Sequence, residues 1–235
     1  MNVSVVVPLE LGDCEYRQRA WEWVQRKWSI RYPEWRVIPG YSTLGGWRKG
    51  VAIINGVRLA PDGIVVIADA DVWVPHVRNA VQLAIDTGGW VKPHKRFVRL
   101  TPEATRGVIA NETPIDRALT SERYWWKKPN YQTPCGGMVI MHRDLALDVP
   151  GDPRFAGWGK FDVSWAIALT TLAGLPLVAG LSALHLWHPP QPRPAPNTGS
   201  PENMSLLALY QGASGDPERM RSLVEEGKVW RDRMT

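Results

Sequence analysis

Apolar and polar residues alternate in blocks along the first third of the chain, and each block has the period of one type of element. Short aliphatic runs predict buried strands, and longer segments with apolar residues three or four positions apart predict amphipathic helices. The predicted order is strand, helix, strand, helix, strand, over residues 3–9, 13–30, 35–39, 46–60 and 63–75. This order is typical of a parallel, nucleotide-binding half-domain.

Further strands and helices are predicted after residue 75. Residues 90–100 are predicted as a strand of mixed polarity. The apolar run at 136–141 opens with two glycines, which permit a ligand to approach the backbone closely. The other predicted elements are helices at 76–87 and 162–172 and a last apolar segment at 177–186.

Two segments lack a periodic pattern. Residues 111–134 are polar, charged and aromatic, which predicts a loop that could order over a ligand. Residues 189–201 contain six prolines and predict an extended linker or wrap. Two short helices are predicted beyond it, at 203–210 and 216–231, the second with Asp216 as its N-cap.

The predicted strand at 63–75 runs into two carboxylates, Asp69 and Asp71. Side chains two positions apart on an extended chain project to the same side, and open α/β sheets bind ligands at the carboxyl ends of their strands. Two nearby carboxylates repel each other, and a divalent cation removes that cost. We therefore expect Mn²⁺ or Mg²⁺ here, with substrate phosphates as further ligands. The alternative is a strand that ends in turn-forming Asp residues.

Composition narrows the class of protein. With 235 residues, 44% of them hydrophobic, the chain can bury one substantial core, so we expect one domain plus an appendage. No apolar run reaches the roughly 18 residues of a membrane span, and the start of the chain lacks the basic leader of a secretion signal. Cys14 and Cys135 form neither a disulfide framework nor a metal cluster, which favours a cytoplasmic protein.

Charge and aromatic content favour a phosphate-bearing ligand. The net charge of +5 suits such a ligand but is too small to establish a nucleic-acid binder. Thirteen tryptophans are a large excess. Their flat faces stack on bases and on the apolar faces of sugars, although we expect most of them to serve packing.

A second group of candidate residues precedes the helix predicted at 162–172. Trp158 lies between two glycines, and Asp162 follows four positions later. Amide groups at the start of a helix would hold Asp162 ionised, and a carboxylate beside a Trp suits a general base that faces a sugar hydroxyl. The alternative is an ordinary N-capping Asp after a glycine-rich turn.

Two histidines form a third candidate group. His185 and His188 lie just before the proline-rich segment, and an imidazole is a suitable third protein ligand for a cation held by the Asp pair. The alternative is a pair of histidines with a purely structural role in an apolar stretch.

Together these motifs resemble those of GT-A type glycosyltransferases. The matching stretches, in chain order, are Val-Val-Val-Pro, the helix that begins at Lys49 and contains Asn55, Val-Val-Ile-Ala-Asp-Ala-Asp-Val, Cys-Gly-Gly-Met-Val, Phe-Ala-Gly-Trp-Gly-Lys-Phe-Asp and His-Leu-Trp-His-Pro. The similarity is to family 2-like and galactosyltransferase-like enzymes, particularly small ones of actinobacteria and their phages. It covers about residues 3–193.

The resemblance implies an α/β fold of the GT-A kind, a Rossmann-like mixed sheet flanked by helices with a small C-terminal helical appendage. The implied divisions are a catalytic domain at 1–188, with a nucleotide-binding half (1–75) and an acceptor half (76–188), a proline-rich linker at 189–201 and the appendage at 202–235.

The resemblance also implies which residues bind the donor, a nucleotide-diphospho-sugar. Asp69 would lie near the donor ribose and the metal, and Asp71 would bind the metal that bridges the diphosphate. Pro8, with Arg17 or Arg19, would hold the nucleotide, and Lys49 would lie near the base or phosphates.

The resemblance implies further roles at the donor sugar, at the general base and at the metal. Gly136 and Gly137 would form the backbone against which the sugar rests, and Trp158 would lie at the donor–acceptor boundary. Asp162 would be the general base of an inverting transfer. His185 or His188 would bind the metal, and the sequence does not choose between them.

One departure from the family pattern affects sugar preference. Such enzymes usually carry Gly-Glu-Asp where this chain has Lys160, Phe161 and Asp162. In such enzymes the Glu often contacts hydroxyl groups of the acceptor or donor. Because this chain lacks it, the sugar preference of the family cannot be assigned to this chain. The acceptor is a hydroxyl of unassigned class, on a glycan, a protein or modified DNA.

Two other functions stay open at the level of sequence. A nucleotidyltransferase could use a similar half-domain, but it would more often carry a glycine-rich basic loop after its first strand, where this chain has an acidic one. A nucleic-acid binder or DNA-modifying protein could use the basic and aromatic segment at 92–131, including glycosylation of a hydroxylated base.

Overall fold

The computed structural model describes residues 1–10, 12–121, 135–190 and 199–234. Its strands are β1 (Asn2–Pro8), β2 (Arg36–Gly40), β3 (Gly63–Ala68), β4 (Val72–Trp73), β5 (Val91–Arg99), β6 (Met138–His142) and β7 (Leu177–His185). Its helices are α1 (Glu15–Arg31), α2 (Lys49–Leu59), α3 (Arg78–Thr87), α4 (Pro102–Ile109), α5 (Ile115–Thr120), α6 (Arg143–Asp148), α7 (Phe161–Ala173), α8 (Pro201–Gly212) and α9 (Pro217–Met234).

The strands form one mixed sheet in the order β2-β1-β3-β6-β5-β7-β4. Strands β2, β1 and β3 are parallel, as the alternation in the first third of the chain predicts. Strand β6 is antiparallel to both β3 and β5, whereas β5 and β7 are parallel. The predicted fold class, a mixed α/β sheet flanked by helices with C-terminal helices appended, is therefore confirmed.

The two faces of the sheet bury separate apolar cores, which explains the continuous aliphatic runs of the central strands. In β1, Val5 and Val7 face one core, and Val6 faces the other. Helices α1, α3, α4 and α5 cover the first core, and α2, α6, α7, α8 and α9 cover the second. Each fully buried valine of this kind stabilises the fold by roughly 1.5–3 kcal/mol.

Residues 63–75, which contain the two carboxylates, are predicted as one extended strand, but the structure divides them into two strands. Strand β3 ends at Ala68, and the Val72 N–H donates to the Asp69 carbonyl at 3.2 Å, which closes a turn. The chain then crosses to the far edge of the sheet, where β4 pairs with β7. Asp69 and Asp71 therefore do not project from one face of an extended strand, because a turn and a change of strand partner separate them.

Three short helices are absent from the sequence prediction. Helix α4 begins at a cap that the sequence does signal, because Thr101 Oγ1 accepts from Ala104 N at 3.1 Å and Pro102 follows. Helix α5 lies inside the predicted loop at 111–134, whose residues 122–134 are outside the described part. The third short helix is α6. The proline-rich segment predicted at 189–201 lies mostly in residues 191–198, which are also outside the described residues.

The C-terminal helices are part of the second core. Asp216 caps α9 as predicted, accepting from Arg219 N at 3.1 Å. Tyr210 of α8 is 1% exposed, and its hydroxyl donates to Asp152 Oδ2 at 2.8 Å, while Arg154 pairs with the same carboxylate. The appendage is thus joined to the sheet domain through a buried polar network. Among the helices described, none is long and apolar enough to cross a membrane.

Candidate active site

Most of the predicted site residues lie near the edge of the sheet where β3 and β7 end. The register of β1 on β3, with Val6 opposite Ile67, puts the buried Pro8 level with Asp69. On the other side, Val72 is paired with His185, and the Leu186 N–H donates to the Asp71 carbonyl at 2.9 Å. Backbone hydrogen bonds therefore bring the carboxylate turn and the histidine segment together.

Asp71, His185 and His188 form a group of potential metal ligands. One ligand atom from each lies within 4.8 Å of the others. The Nε2 of His188 is 2.9 Å from Asp71 Oδ2, and that of His185 is 3.9 Å from Oδ1. The sequence left open which histidine belongs to the site, and the structure brings both to Asp71.

The charge states of Asp71 and His185 suit a cation. Burial lowers the pKa of His185 to about 4, which keeps its imidazole neutral and able to donate a lone pair. Burial would raise the pKa of Asp71, but His185, His188 and Arg17 together lower it well below its usual range. Asp71 is therefore ionised beside two ring nitrogens.

Arg17 and the Pro189 carbonyl contact the other side of His188. Arg17 Nη2 and Pro189 O lie 3.1 and 2.8 Å from His188 Nδ1. When Nε2 carries the proton and donates to Asp71, Nδ1 accepts from Arg17; when Nε2 is a metal ligand, Nδ1–H can donate to the carbonyl. A histidine ligand usually has such a partner on its second nitrogen.

Lys49 joins the other two predicted acids. Its Nζ lies 2.6 Å from Asp69 Oδ1 and 2.9 Å from Asp162 Oδ1, and its side chain is 17% exposed. Burial lowers the pKa of Lys49, but the attraction of Asp162 and Asp69 outweighs it, so the pKa is raised well above the usual range. Burial, with Asp162 and Asp71 nearby, raises the pKa of Asp69 against the attraction of Lys49. Lys49 thus links the sheet edge to the start of α7.

Gly137 holds Asp69 in place. Gly137 N donates to Asp69 Oδ2 at 2.9 Å, and Asp69 N donates to Gly137 O at 2.8 Å. Gly137 has a φ of 86°, and a Cβ on it would lie 2.3 Å from Phe97 Cζ. Only glycine fits here. Gly136 is buried beside it at the same end of β6.

Asp162 is not the N-cap of its helix. The cap position of α7 is Lys160, with a φ of 71° and no side-chain cap bond, so Asp162 falls in the first turn. Its Oδ1 contacts Lys49, and the alternative of an ordinary capping Asp is wrong. Trp158, 44% exposed, lies between Gly157 and Gly159 just before this helix.

Asp69 and Arg19 differ in position from what the sequence predicts. Asp69 lies outside the Asp71–His185–His188 group and faces Lys49, because the turn at residues 69–72 separates the two carboxylates. Arg19 is exposed and pairs with Glu15 one turn earlier on α1. Residues two positions apart on a helix point about 200° apart, so Arg17 faces His188 and Arg19 faces away.

The basic cluster that suggested nucleic-acid binding is largely used inside the fold. Lys92 and His94 are 5% and 1% exposed. Arg96 donates to Ser182 Oγ at 2.9 Å and to the Leu119 carbonyl at 3.0 Å. These contacts remove much of the cluster from any nucleic-acid surface on the described residues.

Sequence reasoning missed two buried residues next to the site. His94 lies under Gly137, where its Nε2 is 3.1 Å from the position of a Cβ on that glycine. Asn203 lies under the Trp158 turn, and its side chain donates to Ala156 O at 2.9 Å. His94 occurs in a charged segment and Asn203 at the start of a helix. Neither sequence context indicates that the side chain is buried next to the site.

The donor set fits a divalent cation. Atoms bound to one ion lie at most about 4.4 Å apart, twice a metal–ligand distance of about 2.2 Å, so the three ligand atoms need to shift by only a few tenths of an ångström. A carboxylate with two imidazoles suits Mn²⁺ better than Mg²⁺, which prefers oxygen ligands alone.

Comparisons with known proteins give similarity at the level of the fold. No protein-family model and no curated protein sequence matches the chain. Drosophila β-1,4-galactosyltransferase 7, solved as a variant with manganese, UDP-Gal and xylobiose, aligns with a TM-score of 0.45 and 13% identity, over 75% of this chain and 63% of that one. This chain thus spans less than two thirds of the fly chain.

A second solved structure covers more of the chain. Glucosyl-3-phosphoglycerate synthase from Mycobacterium tuberculosis, with Mn²⁺, UDP-Glc and phosphoglyceric acid, has a TM-score of 0.45 and 17% identity, over 94% of this chain and 79% of that one. These two proteins are GT-A glycosyltransferases, the class that the sequence motifs resemble. The similarity concerns the fold, and the chemistry proposed below comes from the side chains of the site.

Proposed function

We propose that the chain is a metal-dependent glycosyltransferase that moves a sugar from a nucleotide-diphosphate donor to a hydroxyl acceptor. One observation carries the proposal: the metal-ligand group of Asp71, His185 and His188 lies next to the acid pair bridged by Lys49. The metal-ligand group suits a cation that binds a diphosphate. The acid pair supplies a carboxylate for proton transfer.

Donor binding is proposed to use Asp71, His185 and His188 as ligands of Mn²⁺ or Mg²⁺. When bound, the ion neutralises the charge that develops on the departing diphosphate. Arg17 orients His188 through Nδ1 and adds a positive charge on the same side. In this proposal Pro8, Asp69 and the backbone of Gly136 and Gly137 line the nucleotide and sugar.

The proton of the acceptor is proposed to pass to Asp162. The acceptor oxygen forms a bond to the anomeric carbon, the bond from that carbon to the diphosphate oxygen breaks, and its electron pair leaves with the diphosphate. Lys49 contacts Oδ1 of Asp162, which leaves Oδ2 to accept the proton. General-base help of this kind contributes about 10²–10⁴ in rate. Attack from the face opposite the leaving group gives inversion.

The division of the chain is part of the same proposal. Residues 1–75 would bind the nucleotide and residues 76–188 the acceptor, with Trp158 at the boundary. The two free cysteines, Cys14 and Cys135, suit a reducing cytoplasm, that of the host if the gene belongs to a phage.

The first test is donor turnover. The protein is mixed with a panel of nucleotide sugars, including UDP-Gal and UDP-Glc, with Mn²⁺, Mg²⁺ or a chelator, and released nucleotide is measured. Steady metal-dependent release from one donor is expected. No release from any donor, together with salt-dependent DNA binding, would favour the nucleic-acid binder, and pyrophosphate release from nucleotides would favour a nucleotidyltransferase.

Two variants separate binding from chemistry. Asp71→Ala and Asp162→Ala should each abolish transfer, but only Asp71→Ala should also weaken metal-dependent donor binding. Calorimetry with Mn²⁺ measures that binding, and equal affinity in Asp71→Ala and the wild type would overturn the metal assignment. NMR of the anomeric proton of the product tests inversion; a retained configuration would overturn the role of Asp162 as base.

A further inference from the structure

Asn203, the third residue of α8, is buried against the turn that leads into Asp162. It is 2% exposed, although asparagine is usually a surface residue. Its Nδ2 donates to Ala156 O at 2.9 Å and to Gly159 O at 3.2 Å, and its Oδ1 accepts from Ala156 N at 3.2 Å. One amide thus binds the backbone at both ends of this turn.

The turn needs such support because its backbone is unfavourable. Gly157, Gly159 and Lys160 have φ values of 65°, 108° and 71°. A non-glycine residue such as Lys160 is strained in this region and persists there only where its surroundings impose the conformation. A further constraint comes from the segment before α2, where Gly157 N donates to the Trp47 carbonyl at 2.7 Å.

The turn separates the C-terminal appendage from the site. Trp47 lies two residues before Lys49, and Trp158 and Asp162 follow directly from the segment that Asn203 holds. The Asn203 side chain meets Ala156 and Gly159 on its own side. A displacement of the turn would therefore change where Trp158 and Asp162 lie without moving the proposed metal ligands, which lie just before β4 and at and beyond the end of β7.

Resting on the proposed function, we propose that Asn203 is a positioning residue for the chemical step: it fixes the turn at residues 156–159 and thereby places Trp158 and Asp162 against the bound donor. It reaches no substrate itself. An asparagine suits the position because its short amide supplies two donors and one acceptor. Aspartate would lack the donors.

The test compares four single-residue variants of the 235-residue chain. Asn203→Ala removes all three bonds, and Asn203→Ser is a milder change that keeps the proposal testable if the first variant fails to fold. Ser205→Ala is a neutral control on α8, where it removes a bond to the Pro201 carbonyl and does not reach the turn. Val224→Ala on α9 is a control for lost stability, because Val224 is 3% exposed in the second core and makes no bond to the turn.

The functional readout is turnover of the donor with water as acceptor. We expect kcat of both Asn203 variants to fall by roughly 10- to 100-fold, as for a displaced catalytic group, while KM for the donor and calorimetric Mn²⁺-dependent donor binding stay within about 3-fold. At temperatures below their unfolding transitions, both control variants should have the kcat of the wild type. An unchanged kcat, or an equal loss in Val224→Ala, would overturn the proposal.

A second readout does not depend on turnover. With fluorotryptophan incorporated, the ¹⁹F resonance of Trp158, assigned through Trp158→Phe, should shift or broaden in the Asn203 variants and stay in place in both controls. If the wild type turns over no donor, the proposed function fails on its own, and this resonance still decides the positioning. An unchanged Trp158 resonance in Asn203→Ala would overturn it.

Discussion

Replacing Lys49 with methionine should leave two neighbouring carboxylates without their shared cation. Lys49 Nζ lies 2.6 Å from Asp69 and 2.9 Å from Asp162. At an effective dielectric constant of about 20, each contact is worth roughly 6 kcal/mol before desolvation. Desolvation offsets much of that gain, and removing one partner of a buried pair costs about 3–5 kcal/mol.

The partial exposure of the two carboxylates, 29% for Asp69 and 26% for Asp162, reduces the expected loss. We expect the free energy of unfolding of Lys49→Met to be lower than that of the wild type by about 3 kcal/mol near pH 7. This is a large part of the roughly 5–15 kcal/mol that stabilises a domain. Lys95→Met on β5 is the matched control, because Lys95 is exposed; it should change stability by less than about 0.5 kcal/mol.

The loss should depend on pH in a defined direction. Burial already raises the pKa of Asp69, and without the attraction of Lys49 this pKa rises further above its value in the unfolded chain. The folded variant then binds more protons than the unfolded one, so its stability rises as pH falls. The difference in the free energy of unfolding between the wild type and Lys49→Met should therefore narrow by up to about 1.4 kcal/mol per pH unit below the raised pKa.

Urea unfolding followed by tryptophan fluorescence, at about pH 7 and about pH 5, measures this difference. A gap of the same size at both pH values would show that Lys49 acts through packing of its alkyl chain. A loss below about 1 kcal/mol, as for a surface pair, would refute the bridging role.

Three further predictions concern the metal group, the glycine pair and the C-terminal helices. Excess Mn²⁺ should raise the melting temperature of the wild type and not of Asp71→Ala, since a ligand at about 100 times its Kd adds about 2.7 kcal/mol; an equal rise in both would contradict the assignment. Gly137→Ala should cost about 1–3 kcal/mol from its positive φ, and more from the clash with Phe97, whereas Gly88→Ala, with a φ of 66° and open space around it, should cost only about 1 kcal/mol; thermal unfolding compares the two, and equal losses would contradict the clash. Tyr210→Phe should lower the free energy of unfolding by about 1–3 kcal/mol, because it leaves the buried Asp152 carboxylate short of one donor; an unchanged urea midpoint would show that the C-terminal helices hold by apolar contacts alone.

Local pattern was sufficient to predict most of the strands and most of the helices. Residues close together in the sequence determine the buried strands β1 and β3 and the apolar faces of α1 and α2. The cap at Asp216 is equally local. Helices α4 and α6 are too short for a periodic pattern to distinguish them from loops.

The candidate site could be predicted only as a set of residue types. Which acid meets which cation depends on the turn after β3, and that turn is set by the antiparallel pairing of β4 with β7, more than 100 residues later in the chain. For the same reason no local pattern distinguishes the environment of Asp69 from that of Asp71. The contact between Lys49 and Asp162 likewise joins two elements through tertiary packing.

The pairing of β4, only two residues long, limits where the chain tolerates changes in length. Val72 lies opposite His185, and a slip of one residue would turn the imidazole to the opposite face of the sheet. Insertions ahead of β7, near Gly174, can be absorbed by the loop while this register re-forms. Insertions between His185 and His188 cannot, since they would move apart the imidazoles that must reach the same carboxylate. Loop variation is therefore permitted before the strand and excluded after it.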